Sequence, residues 1–449
     1  DARRTLKSLV ADLRINKNPY SNKFLHIKQQ NKMNQLKNKY KLLLFTQSYK
    51  TGRGGVASYA HDLVNAFQQE YDITVITGDD YQANDYDSIP IIHINTSDFS
   101  SSNAKTILKF IEKEKPSIII NSSFSILSLI TPYLSNEIKI YNISHFINGK
   151  LAWNAGMNGN YTDGIITLSS FGKSYIEKKF NIKDKNKIHI VFNFMPPIPP
   201  TYKTKQNRSI LKIVYPGGCS YAKSAEIVCK ALNKLLKTEL NFEFYWLGNT
   251  KIAGGNSGIF KTNYIEDCLP NDSRIKHIGS VSREKSKQIL SDANIFLLPS
   301  RGEGFPITLI EAMRSGCIPI ISNAKHGSLD AITNGENGLI VRQGSSNNIV
   351  NVLIDIIRNH EKYKFIYEQS YSYYIDNLTE DIFKKKMHQI LNSTSSRKRR
   401  IKTFNEFKFI KDKIYFTYLL KIYWVKDRIK QLYHFVFFRY IRYFIKSHI

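Results

Sequence analysis

Apolar residues along this chain gather in short runs, each closed by glycine or a polar turn and followed by a stretch with helical spacing. In the first half, residues 42–45, 73–76, 118–120, 138–143, 164–168 and 188–192 read as strands, with a helix over 57–67 between the first two. Mostly apolar strands that alternate with helices predict a parallel sheet covered on both faces. Residues 196–207 hold four prolines among mostly polar neighbours and read as an interdomain linker. The pattern then restarts. Strands are expected at 211–215, 242–247, 275–278, 295–298 and 318–321, and helices at 222–236 and 283–290, with a last helix at 376–392. The fold class is therefore α/β, with two Rossmann-like domains facing each other across a cleft. The expected boundaries are an extension over 1–40, a first domain over 41–198, a second over 208–375, a helical segment over 376–394 and a tail over 395–449.

Composition narrows the compartment and the partners. Cys219, Cys229, Cys268 and Cys317 lie far apart with no Cys-x-x-Cys pair, so neither a disulfide framework nor a zinc site is expected, and a reducing cytoplasm suits the chain. No apolar run reaches the length of a membrane span, and the first thirty residues lack the apolar core of a secretory signal. The chain starts at Asp1, and Met33 stands just before the first strand; residues 1–32 are expected to be an extension or the remnant of something longer. A net charge of +28 calls for an anionic partner: nucleic acid, a membrane surface or an anionic substrate.

The charge is concentrated at the end. Residues 397–449 carry fifteen Lys or Arg against three acids, Glu406, Asp412 and Asp427. Ile422, Val425, Ile429, Leu432 and Val436 form one apolar helical stripe, which Phe437, Tyr440, Ile441 and Phe444 extend. A basic, aromatic, amphipathic helix suits an anionic bilayer first and packing on its own or a partner chain second. Single-stranded nucleic acid ranks third, because bulky aliphatics are not what a stacking platform needs; no nucleic-acid partner is expected.

Candidate chemistry lies in 294–341. A strand ends in a loop with Glu303, and a helix follows with Pro306 in its first turn and Gly316 just past its end. Glu311 stands eight positions after Glu303, about one turn into that helix. Both carboxylates thus sit at the carboxyl end of a strand, where open α/β sheets bind ligands. A loop carboxylate accepts hydrogen bonds from ligand hydroxyls, and one on the helix can take a vicinal pair such as a ribose offers. The N–H groups of Gly304 and Phe305 at the helix start suit an anionic or hydroxyl-rich partner. Gly54-Gly55, between a strand and a helix, permits a close approach of backbone to ligand. The G-x-G-x-x-G fingerprint is absent from both halves, which argues against a dehydrogenase. Asp79-Asp80 are adjacent and cannot point the same way in an extended segment, so no metal site is read there.

Glu303-Gly304-Phe305-Pro306, then Glu311-Ala312-Met313, then Gly316-x-x-Pro319 and Gly338-Leu339-Ile340-Val341, in that order, resemble the retaining nucleotide-sugar glycosyltransferases of family four, which have the GT-B fold. The resemblance implies that Glu303 and the backbone of Gly304, Phe305 and Pro306 hold the donor sugar, and that Glu311 binds the nucleotide ribose. It implies contact of Gly54 and Gly55 with donor phosphates or acceptor, and last helices that cross back to the first domain. Gly217 and Lys223 match the family's phosphate turn, with Lys223 on the β-phosphate. Gly218, however, stands where the family has arginine, and Ser224 where it has glycine. Arg53, Lys251 and Arg301 are candidates for the lost charge. His145 falls where the family has a histidine facing the donor sugar, and Asn193 where an asparagine shapes the cleft edge; Ser169 matches a family serine without an assigned role.

Glu303, Lys223 and His145 are the expected catalytic set. The expected function is retaining transfer of a hexosyl or N-acetylhexosaminyl group from a nucleotide-diphosphate sugar to a glycan, lipid-linked or protein acceptor. Neither a metal nor another cofactor is expected. The place is the inner membrane face, reached through 397–449, with a homo-oligomer or transferase partner as further company. Gly218 keeps open the alternative of a catalytically weak nucleotide-sugar or glycan-binding subunit.

Overall fold

The apolar runs fold as parallel strands in two sheets. The computed structural model describes residues 39–49, 54–78, 89–95, 98–146, 149–205, 207–220, 222–249, 269–393, 396–398, 400–401, 403–419, 421–422 and 425. The first sheet comprises β1 (Lys41–Thr46), β2 (Asp72–Thr77), β3 (Ile91–His93), β4 (Ile118–Ser122), β5 (Lys139–Ser144), β6 (Gly164–Thr167) and β7 (Ile188–Ile190), in the order β3-β2-β1-β4-β5-β6-β7. Parallel neighbours need crossovers, and these are α1 (Gly55–Phe67), α2 (Ser101–Glu114), α3 (Ser125–Ile130), α4 (Gly149–Gly156) and α5 (Ser170–Lys179). Leu42, Leu43, Leu44 and Phe45 are consequently sealed from solvent on both faces of β1.

A short helix, α6 (Tyr202–Lys205), lies in the linker. The second sheet has β8 (Leu211–Tyr215), β9 (Phe242–Leu247), β10 (Ile275–Gly279), β11 (Ile295–Leu298), β12 (Ile318–Ser322) and β13 (Leu339–Val341), in the order β10-β9-β8-β11-β12-β13. Its helices are α7 (Ala225–Leu235), α8 (Arg283–Asp292), α9 (Ile307–Arg314), α10 (Ser346–Arg358) and α11 (His360–Asn377). The last, α12 (Glu380–Asn392), packs on the first domain: Phe383 stacks on Phe194 at 4.3 Å, and His388 meets Glu70 at 2.9 Å. In each sheet the strand order reverses beside the first strand, between β1 and β4 and between β8 and β11. The crevice at the carboxyl ends of such strands is where this topology admits ligands.

Three expectations need correction. The helix expected over 222–236 begins at Ala225, because Ser224 takes a left-handed backbone (φ 59°) that cannot continue a helix. The helix expected over 376–392 is broken at Leu378 and Thr379, where Met195, just before the linker, pairs with both and the chain passes from one domain to the other. The tail set apart from both domains at 395 packs on the first domain in its first part. Arg400 is 2% exposed and donates to the carbonyls of Tyr161, Ser135 and Ile138 while pairing with Asp163 at 2.9 Å. Residues 406–419 are helical, with Phe409 and Phe416 inside the first domain's core. Of the apolar stripe expected at 422–444, only Ile422 and Val425 fall within the described residues. Among those residues, no helix is long and apolar enough to cross a membrane.

Candidate active site

The turn after β8 and the loop after β11 meet at the switch point of the second sheet. Arg301 donates its main-chain N–H to the carbonyl of Ala222 at 2.8 Å, which fastens one loop to the other. Lys223 forms an ion pair with Glu303, and the Ser300 hydroxyl donates to the same carboxylate oxygen at 2.9 Å. The Arg301 guanidinium pairs with Glu226 in the first turn of α7. Of the three cations considered for the missing arginine, Arg301 is thus beside the turn; Arg53 and Lys251 lie outside the described residues.

The glycines of that turn have packing reasons. A Cβ on Gly217 would stand 2.2 Å from the Tyr215 ring. Gly218 has φ +51° and donates its N–H to the carbonyl of Leu247 at 2.9 Å, with Gly248 packed against it. An arginine at 218 would have to adopt that left-handed conformation at a cost of roughly 1–2 kcal/mol. The backbone of this turn favours glycine at 218.

Glu311, on α9, is 4% exposed and lies 3.7 Å from the Nε of Arg283 on α8. The other end of the Arg283 guanidinium reaches both oxygens of Asp62, on α1 of the first domain, at 3.3 and 3.4 Å. Burial raises the Glu311 pKa, against the pull of Arg283, Lys287 and Arg314. Neither Arg283 nor Asp62 was singled out from sequence. An arginine and an acid 221 positions apart carry no signal until the domains meet.

His145 follows the end of β5, buried beneath the edge of the Tyr59 ring, with Nε2 2.7 Å from the Ser122 hydroxyl. Burial lowers its pKa to about 4, so the ring is neutral near pH 7. Its main-chain oxygen presses on the second domain: a Cβ on Gly304 would come within 2.0 Å of it. Gly304 is therefore a point of close approach between domains. Phe305 stacks on Phe192 with ring centroids 4.5 Å apart, and its carbonyl accepts from Asn193 Nδ2 at 2.7 Å. The Phe305 side chain is thus interdomain packing, and Pro306 caps the start of α9. Ser169 caps α5 through Gly172 N–H.

Gly54, with φ +96°, and Gly55 begin α1 in open space: a Cβ on either would meet no atom within 4 Å. The structure thus brings Lys223, Glu303, Gly304 and the His145 backbone together, while no described residue stands where a Cβ of Gly54 or Gly55 would point.

A second histidine was missed. His326 is fully buried, with Nε2 3.1 Å from the Ser322 hydroxyl, which itself donates to the carbonyl of Ser300. Its Nδ1 has no hydrogen-bond partner among the described residues. Burial lowers its pKa to about 4, with Glu303 pulling the other way, so a neutral imidazole sits close to Glu303. The only sequence trace is a histidine shortly after a predicted strand, which on its own reads as loop.

Residues 203–373 match the model of the glycosyl transferases group 1 family. The chain is similar to two uncharacterized glycosyltransferases of Methanocaldococcus jannaschii. It is 21% identical to MJ1178 over 70% of this chain and 88% of that protein. It is 26% identical to MJ1607 over 39% of this chain, spanning 46% of that protein. Its fold is similar to that of Anabaena Alr3699/HepE, crystallised with UDP and glucose, with a TM-score of 0.64 at 14% identity over 78% of this chain and 99% of the other. The family match falls on the second domain, and the two domains together have the fold of GT-B glycosyltransferase structures.

Proposed function

We propose that the protein is a retaining glycosyltransferase that moves a hexosyl or N-acetylhexosaminyl group from a nucleotide-diphosphate sugar to a hydroxyl of a glycan, lipid-linked or protein acceptor. The observation that carries this reading is the Lys223–Glu303 ion pair at the carboxyl ends of β8 and β11, with Glu311 one helix turn beyond. Without donor, the two neutralise each other. An incoming diphosphate takes Lys223 and frees Glu303 to accept hydrogen bonds from sugar hydroxyls, while Ser300 keeps that carboxylate oriented. Glu311 then receives the ribose hydroxyls.

As the glycosidic C–O bond breaks, negative charge grows on the leaving nucleoside diphosphate. Lys223 answers it, and Arg301, held by Glu226, takes the part of the arginine missing at Gly218. The acceptor hydroxyl attacks on the face the leaving group vacates, and its proton passes to a phosphate oxygen. No protein carboxylate is assigned as nucleophile in this route; a trapped glycosyl-enzyme would overturn it. His145 and His326 are neutral and offer polar contacts rather than protons at neutral pH.

Cationic side chains in these positions make a metal dispensable, so turnover is expected to persist in EDTA. The outer face of the 406–419 helix, with Phe407, Ile410, Ile414, Tyr415 and Tyr418 exposed beside Lys411, supports attachment to an anionic membrane surface.

The test is release of free nucleoside diphosphate from a panel of nucleotide-sugars, UDP-sugars first. Release from one donor, lost in Glu303→Ala and Lys223→Ala, supports an active transferase. Binding of donors without release, in every member of the panel, would favour the second reading, a nucleotide-sugar-binding subunit whose weak turnover traces to Gly218.

A further inference from the structure

A groove of about 450 Å³ runs along the outer edge of the first domain, and neither Lys223 nor Glu303 lines it. β7, the last strand of its sheet, forms the floor with Ile188 and Ile190. Its walls are α5, which contributes Lys173, and α12, which contributes Lys386 and Gln389. Three basic groups, Lys173, His189 and Lys386, line this one space, and no carboxylate does. Among the described residues, none of the three has an ion-pair partner.

That lack is selective. Two residues before Lys386 on the same helix, Lys384 is paired with Glu70 at 3.3 Å and with Glu380 at 3.6 Å. The nearest acid to act on His189, Asp184, is occupied: it caps Asn186 at 3.0 Å and accepts from Ser396 at 3.3 Å. Burial lowers the pKa of Lys386, and burial together with Lys173 lowers that of His189. Two lysines beside a partly buried imidazole, with no carboxylate lining the same space, leave positive charge that an anion arriving from outside would balance.

We propose that this groove is an anion site that takes the phosphate or diphosphate group of the acceptor substrate. Position supports the assignment. Lys386 Nζ lies 5.4 Å from the centroid of the Phe192 ring, and Phe192 stacks on Phe305, two residues from Glu303. A molecule anchored by its phosphate in the groove therefore has the cleft within reach. Lys173 and Lys386 supply charge, and Asn186, Gln389 and Ser393 supply neutral polar contacts around the bound oxygens. The assignment of the anion to the acceptor rests on the transferase reading above; the anion site itself does not.

The test is binding of inorganic pyrophosphate to the full chain, by calorimetry and by the titration of the His189 ring in isotope-labelled protein, with His189→Gln to identify its signal. Bound pyrophosphate is expected to move the His189 midpoint to higher pH, because an anion stabilises the imidazolium. Lys173→Ala and Lys386→Ala are each expected to weaken binding about tenfold, and Lys385→Ala, one position along α12 and outside the groove lining, to leave it unchanged. A short-chain isoprenyl diphosphate that binds more tightly than pyrophosphate would assign the anion to a lipid carrier; equal affinity would assign it to a water-soluble phosphorylated glycan. Pyrophosphate binding that falls only in Lys223→Ala, with His189 unmoved, would overturn the proposal. Because no turnover is measured, this failure and a silent donor panel can be told apart.

Discussion

Lys223 and Glu303 hold each other in the ligand-free site, so removing either leaves a charge without its partner as well as a substrate without its contact. Replacement of either by alanine is expected to lower donor cleavage about 10²–10³-fold, measured as nucleoside diphosphate release. Gly218→Arg would add a cation to this turn but force it into a left-handed backbone against Gly248 and Asn249. The expected outcome is a lower Tm with no gain in release, whereas Arg301→Ala should reduce release strongly.

The buried histidines give a pH signature. His145 and His326 both drop from 6.5 to about 4, so folding keeps them neutral where the unfolded chain would be protonated. Their contribution to stability is complete above about pH 6.5 and is lost as pH falls through about 4. A Tm that falls between pH 6 and 4, less steeply in a His145→Asn variant, would bear this out. A Tm flat across that range would count against it. These side chains also mark the limit of sequence reading. Glu303 and Glu311 could be picked out because strand, loop and helix place them in one local unit. Arg283, Asp62 and His326 draw their meaning from chain segments far away in sequence.

At the scale of elements, β8, β9 and β11 were readable to the residue because buried parallel strands are nearly continuous apolar runs bounded by turns. β3 was not: it is three residues on a sheet edge, half-exposed and with little apolar length to signal it. The breaks at Ser224 and at Leu378-Thr379 were equally hidden, since a left-handed residue and an interdomain crossing leave the helical spacing intact. The 406–419 helix escaped for another reason. It is apolar on two faces: Phe409, Phe416 and Leu419 pack inward, while Phe407, Ile410, Ile414 and Tyr418 point outward. Such a pattern has no single stripe to follow. Deleting everything from 397 would strip Arg400, Phe409 and Phe416 from the first domain, a loss of several kcal/mol against a typical total of about 5–15 kcal/mol. That truncation is expected to unfold or aggregate the protein.

For the whole molecule, the proposed attachment to an anionic bilayer would draw on the net charge of +28 together with the outward apolar helix face. Exchanging Phe407, Ile414 and Tyr418 for serine is expected to weaken sedimentation with anionic vesicles and leave the Tm in place, since all three are exposed. Undiminished sedimentation would move the attachment elsewhere. The chain of Asp62, Arg283 and Glu311 has its own consequence at this scale. One guanidinium serves a carboxylate in each domain, so a nucleotide that engages Glu311 also competes for, or reinforces, the grip on Asp62. Nucleotide affinity and the spacing of the domains then form a single coupled equilibrium, and coupling is reciprocal. A nucleotide that binds one spacing of the domains more tightly than another by some factor shifts the balance between them by that same factor. Asp62→Asn, which removes the grip on the first-domain side, is expected to change nucleotide Kd, as calorimetry would read.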